Sequence, residues 1–150
     1  MKLLCFQARR FRWKSYSRTL EDVEEVDVED EVSDAVVVFL HAESCDEPDA
    51  ARPRVFRRTL KHVKWLANKR DLRTIVLHSF THLGGENASS TFAQGFIAEL
   101  AERLGSTGYD VRSTPFGYFC EWDLGVYGDS LAKVWKEFAV RSNESVEPVE

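Results

Sequence analysis

The sequence predicts a single α/β domain, a mixed β-sheet with flanking helices, and three observations predict it. Apolar or β-branched runs of strand length occur at residues 3–6, 35–42 and 74–80. The second and third are each followed by a segment with helical spacing, which is the alternation of an α/β fold. A chain of 150 residues also suffices for one well-buried core.

The first run, LLCF, is short and meets arginines at once, so it reads as a strand rather than a secretory signal. AVVVFL is apolar at every position, as a central strand covered on both faces would be. In the first helix Pro53 occupies the first turn, and Phe56, Leu60, Val63 and Ala67 recur at helical spacing. Arg54, Arg57, Arg58, Lys61 and Lys64 fall mostly on its other side. The second helix takes Ser89 or Ser90 as N-cap, carries Phe92, Phe96, Leu100 and Leu104 on one stripe, and stops at Gly105 and Gly108. A strand at 109–111 follows. FGYFCEWDLGVYG then alternates like a strand and hairpin with glycines at its turns. Asp129 is placed to cap a last helix, SLAKVWKEFAV, and residues 141–150 form a disordered polar tail behind a domain of residues 1–140.

The net charge of −5 conceals a segregated distribution. Residues 21–49 hold thirteen acidic side chains and no lysine or arginine, while thirteen of the twenty basic residues lie in 9–18 and 52–70. Such a chain is not a general nucleic-acid coat. Its charges read either as two solvated faces of opposite sign or as a local basic face gripping one end of an RNA. No apolar run approaches the roughly 20 residues of a membrane-spanning helix, so no membrane partner is expected. Cys5, Cys45 and Cys120 are odd in number and lack a C-x-x-C pair, which points to a reducing cytosol rather than a disulfide framework.

TIVLHSFTHLGGENASS runs from a buried strand into a glycine pair and polar residues before a helix. Open α/β sheets bind ligands at such strand ends. Gly84 and Gly85 permit close backbone approaches, exposed N–H groups there can serve an oxyanion, and His82 has an imidazole suited to proton transfer. His78 and His82 are four apart, but on a strand running into a loop that spacing has no metal-binding meaning, and neither metal nor cofactor is expected. Cys120 reads as a nucleophile with His82 as its base, or as a small buried hydrophobe. Trp65, Trp122 and Trp135 read as core or edge aromatics, or, where exposed, as a platform for a base.

FTHLGGENAS after a buried strand, followed by TPFGYF, resembles the N-terminal editing domain of archaeal-type threonyl-tRNA synthetases, which is related in fold to D-aminoacyl-tRNA deacylases. The resemblance runs from MKLLCF through AVVVFLHAES to GDSLAK. It implies hydrolysis of seryl-tRNA mischarged for threonine, with a second pocket destroying what the first cannot exclude, since a methylene-sized difference is worth only about 1–3 kcal/mol. It places Ala42 and Thr81 at the amino-acid pocket, His82 at the terminal nucleotide, and Phe116, Gly117, Tyr118 and Phe119 beside the adenosine. The implied partners are the 3′ end of an aminoacyl-tRNA, a threonyl-tRNA synthetase assisted in trans, and a second copy in a homodimer. The chain departs from the family pattern at three places. Cys120 stands where the family has a lysine, Lys133 where it has a glutamate, and Gln7 to Arg9 where its strand ends H-S-D. These changes suggest that Lys133 brings an ammonium to the space vacated at Cys120. The alternatives are a non-catalytic module binding tRNA ends or a synthetase, and a D-aminoacyl-tRNA deacylase.

Overall fold

In the computed structural model, which describes residues 1–138, the first strand extends far beyond its apolar start. Strand β1 spans Lys2–Arg18 because residues past the arginines still alternate, with Phe11 and Trp13 buried and Arg10 and Lys14 exposed. Strand β2, Glu29–His41, runs antiparallel to it over nearly its whole length. The acidic start of β2 thereby meets the basic half of β1: Arg10 pairs with Glu31, and Arg12 reaches Glu29 at 2.7 Å.

The ribbon changes face halfway along. Before that point Leu4, Phe6 and Ala8 lie on the face away from the helices; after it Phe11 and Trp13 do. Arg9 on β1 and Asp34 on β2 take up the shift together, so the β1–β2 register is unbroken between Ala8↔Ala35 and Arg10↔Ser33. Asp34 adopts the left-handed conformation (φ 52°), and β1 carries a bulge against its other neighbour at this point.

Helix α1, Arg52–Asn68, links β2 to the parallel β3, Thr74–Ser79; helix α2, Ser90–Ser106, links β3 to the parallel β4, Asp110–Ser113. Pro53 lies in the first turn of α1, and the Ser89 hydroxyl accepts from the Phe92 N–H to cap α2. Both helices cover one face, where Val55, Val63, Leu66, Leu100 and Leu104 pack on Val36, Val38, Ile75 and Leu77. The opposite face is largely aromatic, with Phe11 stacked on Trp13 and Phe39 against Phe80 and Trp122. No helix among the described residues is long and apolar enough to cross a membrane.

Strand β5, Tyr118–Val126, is one continuous strand rather than a hairpin and pairs with the C-terminal half of β1. The expected last helix is also corrected. After a short 3-10 turn at Ser130–Ala132 the chain forms strand β6, Lys133–Glu137. β5 leaves the Lys2–Phe6 edge of β1 open, and β6 closes it, so tertiary pairing overrides a pattern that fits either period. The sheet order is β4-β3-β2-β1-β5, with β6 beside β5 along the same edge of β1. The tail expected over 141–150 lies outside the described residues.

Candidate active site

Beyond the C-terminal ends of β2 and β3 the fold leaves a cavity of about 330 Å³, at the lower end of the roughly 300–1,000 Å³ usual for small-ligand pockets. Two separated segments converge on it. One is the strand end with Phe80, Thr81 and His82; the other is the run from Pro115 to Cys120. Leu40 and Ala42 form its floor, and Ala93 and Phe96 of α2 its side. Among the described residues no lysine, arginine, aspartate or glutamate lines it, so its polar character comes from histidine, serine, threonine, asparagine and backbone groups.

The wall formed by residues 81–89 is fastened by polar and charged groups. His41, fully buried at the end of β2, pairs through Nε2 with Asn87 Oδ1 at 2.7 Å, while its Nδ1 accepts the Leu83 N–H at 3.2 Å. That pattern places the ring proton on Nε2. The Met1 ammonium donates to Glu43 Oε1 at 2.9 Å, to the Asp46 carboxylate at 2.8 Å and to the Phe138 carbonyl at 2.9 Å. Lys2 adds an ion pair to Glu43 and a hydrogen bond to the Gly84 carbonyl at 3.0 Å. Burial alone would push the Glu43 carboxyl up, but hydrogen bonds from Lys2 and the Met1 ammonium outweigh it and hold it below the usual range. The glycine pair has a concrete reason. Gly84 and Gly85 adopt φ of 97° and 84°, and a Cβ on Gly85 would sit 2.6 Å from Glu43 Oε2.

The wall formed by residues 115–122 is fastened by close packing. At Gly117 φ is 79°, and a Cβ there would lie 2.8 Å from Val23 Cγ1. The Tyr118 hydroxyl donates to the Glu24 carbonyl at 2.7 Å and accepts the Val26 N–H at 2.8 Å. The acidic loop between β1 and β2 thus backs this wall. Trp122 packs on Phe39, His78 and Phe80.

Of the residues singled out in the sequence, Ala42, Thr81, His82, Phe116, Gly117, Tyr118, Phe119 and Cys120 all line the cavity. Lys133 does not. It pairs with Phe6 on β1 and donates to the Tyr127 carbonyl at 3.2 Å, whereas Cys120 pairs with Ser15. Those positions are nine β1 residues apart, about 30 Å along a strand, so Lys133 brings no ammonium to Cys120. Lys133 faces the outside because its segment is an edge strand and not a helix. Burial pushes the Cys120 thiol up, which keeps it protonated and a weak nucleophile. Gln7, at a departure from the family pattern, is a buried tie between the Leu66 carbonyl and Arg70. Trp65, Trp122 and Trp135 are all partly exposed.

Two histidines escaped the sequence reading. His41 gave no signal beyond closing an apolar run. In the sequence His78 stands out only by its spacing from His82. Its Nδ1 bonds the Thr114 hydroxyl at 2.7 Å, its ring packs among Phe39, Phe80 and Trp122, and burial pulls its pKa down to about 4. At neutral pH it is an uncharged imidazole in the cavity wall.

A partly apolar crevice at the strand ends of a mixed α/β sheet has the place and size of a small-ligand site. The model for the archaea-specific editing domain of threonyl-tRNA synthetase matches residues 1–138, and the chain belongs to that family. Among curated proteins it is similar to the threonine–tRNA ligases of Staphylothermus marinus, 28% identical over 97% of this chain, and Hyperthermus butylicus, 27% identical over 98%. It spans about a quarter of their length, 24% in each case. A solved c-Myc DNA unwinding element binding protein matches with a TM-score of 0.60 at 15% identity, covering 93% of this chain and 100% of its own. That likeness is one of fold, and the fold is the D-aminoacyl-tRNA deacylase-like one implied by the resemblance.

Proposed function

We propose that this domain hydrolyses the ester joining a mischarged amino acid to the 3′-terminal adenosine of a tRNA, with seryl-tRNA for threonine as its substrate and acting in trans. The observation that carries the reading is the convergence of the Thr81–His82 and Pro115–Cys120 segments on one small cavity lined, among the described residues, by no charged side chain. An ester is neutral at its carbonyl, so the ground state needs no counter-charge. What the reaction needs is a placed water and donors for the oxyanion that develops. The water oxygen attacks the carbonyl carbon, the tetrahedral intermediate collapses, and the bond to the ribose oxygen breaks. The proton from the water ends on the ribose hydroxyl. Among the described residues the Thr81 and His82 N–H groups make no backbone hydrogen bond, and they supply the donors. The Cys120 thiol, protonated and short, contributes shape rather than a covalent intermediate. The same reading makes the domain a cytosolic partner of a threonyl-tRNA synthetase that pairs as a homodimer, which sedimentation of the pure protein tests.

The uncharged lining also favours a second reading, a module that binds tRNA ends without cleaving them. Incubating the protein with seryl-, threonyl- and D-aminoacyl-tRNA and comparing ester half-lives with the blank separates the readings. Acceleration for seryl-tRNA alone supports editing. Acceleration for D-aminoacyl esters moves the substrate, and no acceleration leaves the binding module.

A further inference from the structure

The two basic stretches of the chain meet opposite fates. On β1, Arg10 and Arg12 are neutralised across the strands by Glu29, Glu31 and Asp123. On α1, Arg52 pairs with Glu99 of α2, and Arg54, Arg57, Arg58, Lys61 and Lys64 form no ion pair among the described residues. The helix contains no acidic residue at all, even in its first turn, where the macrodipole favours one. Its cations are also neighbours of one another: Arg54 with Arg57 and Arg58, and Lys61 with Arg57, Arg58 and Lys64. Each such like-charge pair costs about 0.2–0.5 kcal/mol. A chain with a net charge of −5 has acidic residues to spare, so this arrangement is not explained by folding.

These cations surround a shaped feature. Arg57, Lys61, Lys64 and Asn68 lie on one stripe of α1, and with Trp65 and Arg103 of α2 they line a shallow groove of about 510 Å³ between the helices. Trp65 is 41% exposed there, an unusual position for a large aromatic ring. It stacks on His62 at 5.7 Å, and the Lys69 ammonium lies over it at 5.9 Å. Helix α2 connects groove and cavity, since Ile97 lines the cavity and Arg103 the groove, about 9 Å further along the helix. α1 and α2 both start at the cavity end of the sheet and lead away from it.

We infer that the α1–α2 groove is an RNA-binding surface that holds the sugar–phosphate backbone of the acceptor arm, with Trp65 as a stacking platform, while the 3′ end occupies the cavity. Unpaired arginines and lysines recognise phosphates, and an aromatic ring set among them is the added feature of RNA-binding grooves. This rests on the proposed function for the identity of the RNA. It does not rest on that reading for the surface itself.

The test is fluorescence anisotropy of a deacylated tRNA transcript with the full chain over a KCl series, beside hydrolysis of seryl-tRNA and of the small ester 3′-seryl-adenosine. Arg57→Gln/Lys61→Gln/Lys64→Gln is expected to weaken tRNA binding at least tenfold at low salt. It should also flatten the slope of log affinity against log salt by about two to three, one phosphate contact per lost cation. Its thermal stability and its hydrolysis of 3′-seryl-adenosine should be unchanged. Trp65→Ala is expected to weaken binding several-fold without changing the salt slope, and Lys14→Gln/Arg73→Gln to do neither. Tight tRNA binding that the triple variant leaves intact overturns the inference while the proposed function stands. Equal weakening by the control variant overturns it, as does binding to anionic lipid vesicles in place of tRNA. Binding through α1 without hydrolysis of either ester upholds the surface and defeats the proposed function.

Discussion

The two walls of the cavity are held by different physics. The 81–89 wall hangs on a largely buried ionic and hydrogen-bonded lattice in which Lys2 and His41 grip a glycine-bearing loop and Met1, Glu43 and Asp46 stand behind Lys2. The 115–122 wall is pinned by a glycine pressed against Val23 and Leu20, by one tyrosine hydroxyl and by stacked aromatic rings. One wall therefore depends on protonation and charge, the other on shape. The cavity between them can lose its form by either route.

The largest expected effect is on the charged wall. Glu43→Ala leaves the Met1 ammonium with Asp46 alone as counter-charge and Lys2 with the Gly84 carbonyl and a distant Glu137, so the cost should be about 3 kcal/mol, the low end of the range for breaking a buried pair. Urea denaturation measures it. A loss under about 1 kcal/mol would show that the lattice does not hold the wall. Acid should reach the same wall next. The folded Glu43 carboxyl lies below its ordinary value of 4.5, so its stabilisation is present above that value and is lost as pH falls through the folded one. His78 acts at higher pH. Its folded pKa of about 4 against an ordinary 6.5 means that the folded state resists a proton the unfolded chain accepts. Stability is full above pH 6.5 and falls by up to about 3 kcal/mol towards pH 4. A scan of Tm against pH should show that slope in the native protein and a flatter one in His78→Gln.

The packing contacts of the shaped wall give smaller effects. Gly117→Ala forces a positive φ on a residue with a Cβ and drives that Cβ into Val23, at a cost of about 2 kcal/mol. Gly84→Ala, with nothing within 4 Å of its Cβ, should cost only about 1 kcal/mol. If the two alanine variants proved equally stable by calorimetry, close packing would not be what distinguishes the second wall. Tyr118→Phe removes two hydrogen bonds to the acidic loop, each worth about 0.5–1.5 kcal/mol, so its cost should match or exceed that of Gly84→Ala. Hydrogen exchange at Val26 should quicken while that at Leu83 stays unchanged.

The sequence made the shaped wall easier to read than the charged one, for a physical reason. PFGYF is contiguous, and its glycine, proline and aromatics act at their own positions. The lattice behind the other wall is assembled from residues more than 40 positions apart, such as His41 with Asn87 and Met1 with Asp46. No local pattern announces those pairs. The central strands and both helices were legible because their apolar periods are strong. The length of β1 was hidden by arginines whose partners lie on β2, and the last segment read as a helix because the open edge of β1 that claims it exists only in three dimensions. Lys133 illustrates the consequence: a candidate site residue assigned through a helix vanished with the helix.

The paired shift at Arg9 and Asp34 limits how this chain can change length. Removing Arg9 alone would bring Phe11 to the second position after Ala8, where a regular pleat keeps both on one face, and would leave Asp34 as an unmatched bulge on β2. Removing Arg9 together with Asp34 would leave a regular ribbon with every buried side chain on its present face. The ribbon should therefore tolerate shortening at these two positions, whereas deletion of a single residue elsewhere in it reverses every face beyond the cut.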